Sequence, residues 1–193
     1  MRPFMNKNPH VAVVGATGAV GIEMIKTLEK RNFPVGKLTL LASARSVGKK
    51  LKFKGKDITV AELKKDSFPG IDIALFSAGG SISKEFAPLA AKAGCVVVDN
   101  SSAFRQDANV PLVVPEINAE DCKWHKGIIA NPNCTTAITL MALYPLHKAF
   151  GVKRIFASSY QAVSGTGAKA IEELERQVEQ IVTKKPVTQE VDP

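Results

Sequence analysis

The sequence predicts an α/β fold, a doubly wound parallel sheet followed by the start of an incomplete α+β second domain. Three observations carry this expectation. Short β-branched apolar runs alternate with segments of helical periodicity up to about Asn131. A glycine-rich turn joins the first such run to the first helical segment. Beyond Asn131 come a helix, an apolar run and another helix, too little to bury both faces of a second sheet. The expected boundaries are 8–133 for the sheet domain and 134–193 for the beginning of the next.

His10 to Val14 (HVAVV) reads as a buried strand. Val20, Ile22, Met24, Ile25 and Leu28 recur at near-helical spacing and give way to Lys30 and Arg31 ahead of Pro34, so a helix follows the glycines. Lys37 to Ala42 is a second buried strand, and the three elements have the length a right-handed parallel crossover needs. Lys50 to Ala61 alternates about Gly55-Lys56 and predicts a surface hairpin or excursion. Ile71 to Ser77, Val96 to Asn100 and Gly127 to Asn131 read as further strands, with a helix over Ser83 to Ala93. Thr135 to Phe150 is helical in character, and Pro145 is expected to kink or end it. Arg154 to Val163 predicts a strand. Ala168 to Thr183 predicts an amphipathic helix with Ile171, Leu174, Val178 and Ile181 on one side. A second sheet left unfinished predicts an exposed edge and self-association.

Composition narrows the function classes. With 45% hydrophobic and 23% charged residues in 193, the chain is not of the disordered type. No run approaches the roughly 18 apolar residues of a membrane span. The first ten residues, MRPFMNKNPH, have no apolar signal core. Cys95, Cys122 and Cys134 are odd in number and widely spaced, which argues for a reducing, cytoplasmic setting and not a disulfide framework. The net charge is +8, and seven lysines lie between Lys49 and Lys65 with Phe53 the one aromatic among them. That stretch offers no stacking platform, so nucleic acid is not the expected partner; small multiply charged anions suit the charge better. No metal is assigned.

Gly15, Gly18 and Gly21 stand in GATGAVG, directly after the first strand and opening the first helix. Glycine lets the backbone turn tightly and approach a pyrophosphate, whose charge meets the unpaired amides of the helix start. The spacing is a variant of the commoner dinucleotide fingerprint and marks a Rossmann-like nucleotide site. Where an NAD site places a carboxylate at the end of the second strand, this chain has LLASARS. Arg45 can fork onto a 2′-phosphate and the Ser43 hydroxyl can donate to it, so NADP is expected; the plain alternative is a solvated loop charge. In FSAGGS, Gly79 and Gly80 can let the chain pass over the nicotinamide half, or simply turn.

NPNCTT carries the strongest catalytic signal. Cys134 stands at an expected helix start, where the dipole favours an anionic sulfur. Cys95, inside GCVVVDN, suits a core position, and Cys122, between Asp121 and Lys123, a surface or loop one. A thiolate beside a nicotinamide adds to an aldehyde, loses hydride to the cofactor and leaves a thioester; in reverse it attacks an acyl phosphate.

GATGAVG, the SARS loop, FSAGGS, NSSAFR, VPEIN, NPNCTT and YQAVSG occur in that order, and together they resemble the aspartate-semialdehyde dehydrogenases from about His10 to Thr183. The resemblance implies Cys134 as nucleophile, Gln161 as the residue orienting substrate or acyl intermediate, and Asn100 with Arg105 as the phosphate site. It implies that Gly15, Thr17, Gly18, Ala19, Val20, Gly21, Ser43, Arg45 and Gly80 line the NADP site, with Ser164 and Gly165 close by. The implied reaction is NADPH-dependent reductive dephosphorylation of L-aspartyl-4-phosphate to L-aspartate-4-semialdehyde, towards lysine, threonine and methionine, in a homodimer.

The chain departs from the family at its far end. Members are substantially longer, and their second half supplies a histidine acid–base and an arginine for the substrate carboxylate. None of His10, His125 and His147 stands in the expected context, so none is assigned as the base. The expectation is a fragment that binds NADP weakly and turns over slowly or not at all. The competing readings are a non-catalytic NADP-binding module and an N-acetyl-glutamyl-phosphate reductase-like enzyme; glyceraldehyde-phosphate dehydrogenase differs in its glycine loop.

Overall fold

A computed structural model describes residues 7–190. Residues 1–6, part of the stretch read as lacking a signal core, and 191–193, the end of the second expected domain, lie outside the described residues. The strands are β1 (His10–Val14), β2 (Lys37–Ala42), β3 (Lys50–Phe53), β4 (Lys56–Glu62), β5 (Ile73–Phe76), β6 (Val96–Asp99) and β7 (Ile128–Ala130). They form one sheet in the order β3-β4-β2-β1-β5-β6-β7. Every neighbouring pair is parallel except β3 with β4. The helices are α1 (Ala19–Lys30), α2 (Gly80–Lys92), α3 (Pro115–Asn118), α4 (Cys134–Phe150) and α5 (Ala168–Val182).

A strand buried on both faces needs apolar side chains at every position, and Val11 to Val14 of the central β1 are all fully buried. Alternation then sorts the sheet into two cores. Ala12, Val14, Ala74, Phe76 and Val97 pack with Phe86, Ala87 and Ala90 of α2. Val11, Val13, Leu38, Leu40 and Val60 pack on the opposite face with Ile25 of α1. Helices therefore cover both faces, as the doubly wound expectation requires.

Two expectations change and a third narrows. The hairpin over Lys50 to Ala61 is a hairpin, with Lys50 opposite Thr59 and Phe53 opposite Lys56, but not a surface excursion. Its second strand joins the sheet parallel to β2, and Phe53 and Val60 are buried beneath it. The outer edge of β7 is partly covered. Leu112 bridges Ala130, whose N–H donates to Pro111 O at 2.8 Å and whose carbonyl accepts Val113 N at 3.0 Å. Pro145 lies inside α4, which runs on to Phe150, so of the two expected outcomes the ending does not occur. Gly151, at φ 69°, closes the helix in the left-handed conformation its missing Cβ allows.

The strand expected over Arg154 to Val163 does not form. Residues 152–162 are irregular and a 3-10 turn follows at Val163–Thr166. An apolar run becomes a strand only when a neighbour pairs with it, and no described strand lies alongside. Phe156 is left 88% exposed.

Candidate active site

The carboxyl ends of β1, β2, β5, β6 and β7 all open on one edge of the sheet, and β1 and β5 flank the point where strand order reverses. Open α/β sheets bind ligands at that crevice. Each strand delivers one piece of the candidate site there.

After β1 the chain turns through the glycine loop. Gly15 has φ 85°, and a Cβ on it would overlap the Ser77 carbonyl at the end of β5. A Cβ on Gly21 would overlap the Gly15 carbonyl, so this glycine seats α1 against the loop. Gly18 is different: its conformation is extended and its Cβ would come within 3.3 Å of Gly15 O only. No side chain caps α1 at Gly18. The first-turn amides of Ala19, Val20 and Gly21 are those an α-helix leaves without an internal partner. Thr17 Oγ1 lies 3.1 Å from Ser46 Oγ, tying this loop to the turn after β2. That turn, Ala44–Ser46, exposes Ser43 and Arg45 to solvent.

A cleft of about 280 Å³ runs beside the helix start, lined by Gly18, Ala19, Val20, Asn100, Ser101 and Gly165 among others. It brings three of the sequence-assigned groups together. Gly79 also lines it, and Gly80 opens α2 beside it, with the place of its Cβ 3.9 Å from Ser102 Oγ. Of the other assigned residues, Gly15, Thr17, Gly21, Ser43, Arg45, Gly80, Arg105, Cys134, Gln161 and Ser164 are not among those lining this cleft; Ser164 is exposed next to Gly165.

After β6 a polar network organises the loop. Asp99 is fully buried and accepts Ser83 Oγ at 2.6 Å and Ser101 Oγ at 2.7 Å. A buried carboxylate keeps its place only when donors surround it. Next to it, Arg105 donates from Nη2 to Asn100 O (3.0 Å) and from Nε to Asn131 O (2.9 Å). Asn131 Nδ2 donates to Asn100 Oδ1 at 2.7 Å. Asn100 and Arg105 thus stand together and are tied to the loop after β7.

That loop ends in α4. Asn133 caps it, its Oδ1 accepting Thr135 N at 2.9 Å and Thr136 N at 3.4 Å, which sets Cys134 at the first helical position. Cys134 is exposed, and its thiol donates to Gln161 Oε1 at 3.7 Å; the Thr135 hydroxyl reaches the same oxygen at 3.3 Å. A Cβ on Gly165 would overlap the Gln161 amide, so that glycine makes room for it. Cys95 is buried and Cys122 half-buried.

The histidines stand elsewhere. His10 uses both ring nitrogens, on Gly70 O at 2.9 Å and Thr39 Oγ1 at 2.7 Å. His125 Nδ1 accepts Gly127 N at 3.0 Å, and His147 is exposed late in α4. Among the described residues no cluster of His, Cys, Asp and Glu has the makings of a metal site, and no helix is long and apolar enough to cross a membrane. Sequence reasoning passed over Asp99, Asn131, Asn133 and Thr135. An Asn directly before a helical run is a cap signal that could have found Asn133.

Residues 10–125 match the family model described as semialdehyde dehydrogenase, NAD binding domain, and residues 143–193 the one described as semialdehyde dehydrogenase, dimerisation domain. The chain is similar to the aspartate-semialdehyde dehydrogenase of Bacillus subtilis, with 54% identity over 189 residues, 98% of this chain and 55% of that protein. Against the Aquifex aeolicus protein of the same name, identity is 63% over 170 residues, 86% of this chain and 50% of that one. The crystal structure of aspartate semialdehyde dehydrogenase II from Vibrio cholerae, complexed with ASA, has a TM-score of 0.91 at 45% identity. That match covers 96% of this chain and 56% of the other. The chain spans about half the length of the curated relatives it matches.

Proposed function

This chain belongs to the semialdehyde dehydrogenase family, and we propose that it carries the cofactor cleft and nucleophile of an aspartate-semialdehyde dehydrogenase. The reaction is reductive dephosphorylation of L-aspartyl-4-phosphate to L-aspartate-4-semialdehyde. The observation that carries this is the meeting of Cys134 and Gln161 beside a cleft lined by both the α1 start and Gly165.

Cys134 Sγ, as thiolate, attacks the acyl carbon; the carbon–oxygen bond to phosphate breaks, inorganic phosphate leaves, and a thioester on Cys134 remains. Asn100 and Arg105 hold the phosphoryl group, the guanidinium keeping N–H donors beyond the two it spends on carbonyls. Gln161 orients the acyl group without competing for protons. NADPH, when bound, supplies the hydride that takes the thioester to the aldehyde level. The carbon–sulfur bond then breaks and Cys134 is restored as thiolate.

The residues present fit that cofactor. Gly15 and Gly21 sit where a Cβ would meet the Ser77 and Gly15 carbonyls, and the first-turn amides of Ala19, Val20 and Gly21 would face a pyrophosphate, with Thr17 and Gly18 beside them. Ser43 and Arg45, exposed after β2, would take the 2′-phosphate and select NADP; Gly80, Ser164 and Gly165 would stand near the cofactor. We assign 8–133 to cofactor binding and 134–193 to the beginning of the catalytic and dimerisation domain of a homodimer. Free cysteines suit a cytoplasmic enzyme.

Mixing the chain with NADP and aspartate semialdehyde in a stopped-flow instrument tests the reading. The expected record is a burst of NADPH absorbance matching the Cys134 concentration, absent in Cys134→Ser. A wild-type record without a burst, or one that Cys134→Ser retains, overturns it.

A further inference from the structure

One residue between β7 and α4 is held from three directions. Asn131 donates its backbone N–H to Asp99 O at 2.8 Å, donates Nδ2 to Asn100 Oδ1 at 2.7 Å, and accepts Arg105 Nε at its carbonyl at 2.9 Å. Arg105 is thereby clamped across two loops, one leading from β6 and one leading to the nucleophile. Three extended residues span at most about 10 Å, so the clamp lies within electrostatic reach of Cys134.

No neighbour can replace the side-chain tie. Pro132 follows and has no N–H to donate. Asn133 spends its carboxamide oxygen on the cap of α4. Asn131 alone has a carboxamide that reaches across to the Asn100 loop.

We propose that Asn131 is a positioning residue whose carboxamide locks the loop carrying Cys134 to the loop carrying Asn100, so that the Arg105 fork and the sulfur address one anionic group. The proposal rests on the reading of Arg105 and Cys134 given under Proposed function. It makes anion selectivity at the thiol a property of a residue that touches neither the sulfur nor the substrate.

Paired alkylating reagents test it on the chain as it stands. Iodoacetate and iodoacetamide carry the same leaving group and differ in charge, so their rate ratio at Cys134 cancels the intrinsic reactivity of the sulfur. Rates are read by peptide mass spectrometry at low ionic strength, where screening is weak. In the wild type the ratio exceeds that of Arg105→Ala by about twofold to fivefold, the size of one charge acting across several ångströms of water. Asn131→Ala brings the ratio down to the Arg105→Ala value while the iodoacetamide rate stays within about twofold. Asn131→Ser, a milder change that cannot span to Asn100, does the same, and circular dichroism confirms that both variants fold. An Asn131→Ala ratio equal to the wild type overturns the proposal, as does an equal fall in both rates, the mark of general loosening. If the wild type and Arg105→Ala give one ratio, the anion role of Arg105 fails first and takes the proposal with it.

Discussion

The three glycines of the first loop share a motif but not a physical role. Gly15 combines φ 85° with a Cβ position inside the Ser77 carbonyl, so Gly15→Ala is expected to cost roughly 2–4 kcal/mol in urea unfolding. Gly18→Ala keeps ordinary dihedrals but brings a Cβ to 3.3 Å from Gly15 O, so it should cost about 1 kcal/mol, less than Gly15→Ala, and weaken NADPH binding in a fluorescence titration. Equal losses of stability at the two positions would contradict this division. At the cofactor's other end, Arg45→Asp should reverse the preference for NADP over NAD, read as the ratio of the two Kd values; an unchanged ratio removes Arg45 from the site. Cys134 was legible because a helix-start thiol among polar residues has a chemical use. Gln161 was not, since it lies in an irregular segment and reaches Cys134 only through tertiary placement, so only family resemblance pointed to it. Asn131 and Asp99 were missed because their partners are set by which strands lie side by side.

Elements repeat the lesson one level up. Local periodicity located β1, β2, β5, β6, β7 and the helices α1 and α2 because each is buried by its immediate neighbours in sequence and sheet. It misjudged Lys50 to Ala61, whose lysines suggest a solvated excursion, because the buried half of the alternation is Phe53 and Val60 and its destination is β2. Phe53→Ala should therefore destabilise the protein by about 3–5 kcal/mol in urea unfolding, as for a ring deleted from a core. A loss under about 0.5 kcal/mol would return the hairpin to the surface. The segment from Arg154 failed as a strand for the opposite reason: the apolar pattern is present and the pairing partner is not.

For the whole molecule, the most exposed large apolar side chains lie on the second part of the chain. No residue of α4 is buried, and Ile138, Phe150, Phe156, Ile181 and Val182 are all exposed. Patches of this kind drive association, so multi-angle light scattering should show mass rising above 20.7 kDa with concentration, where a constant monomer mass would contradict the expectation. None of the three histidines bonds to Cys134 or Gln161, and a general acid–base typically contributes about 10² to 10⁴ in rate. Chemistry at the sulfur itself does not wait on that help. Intact-mass spectrometry after mixing the chain with aspartyl phosphate, without cofactor, should show a gain of one aspartyl unit that hydroxylamine removes and Cys134→Ser lacks. An unmodified chain, or an adduct that survives the Cys134→Ser change, would contradict the central claim that this thiol receives the acyl group.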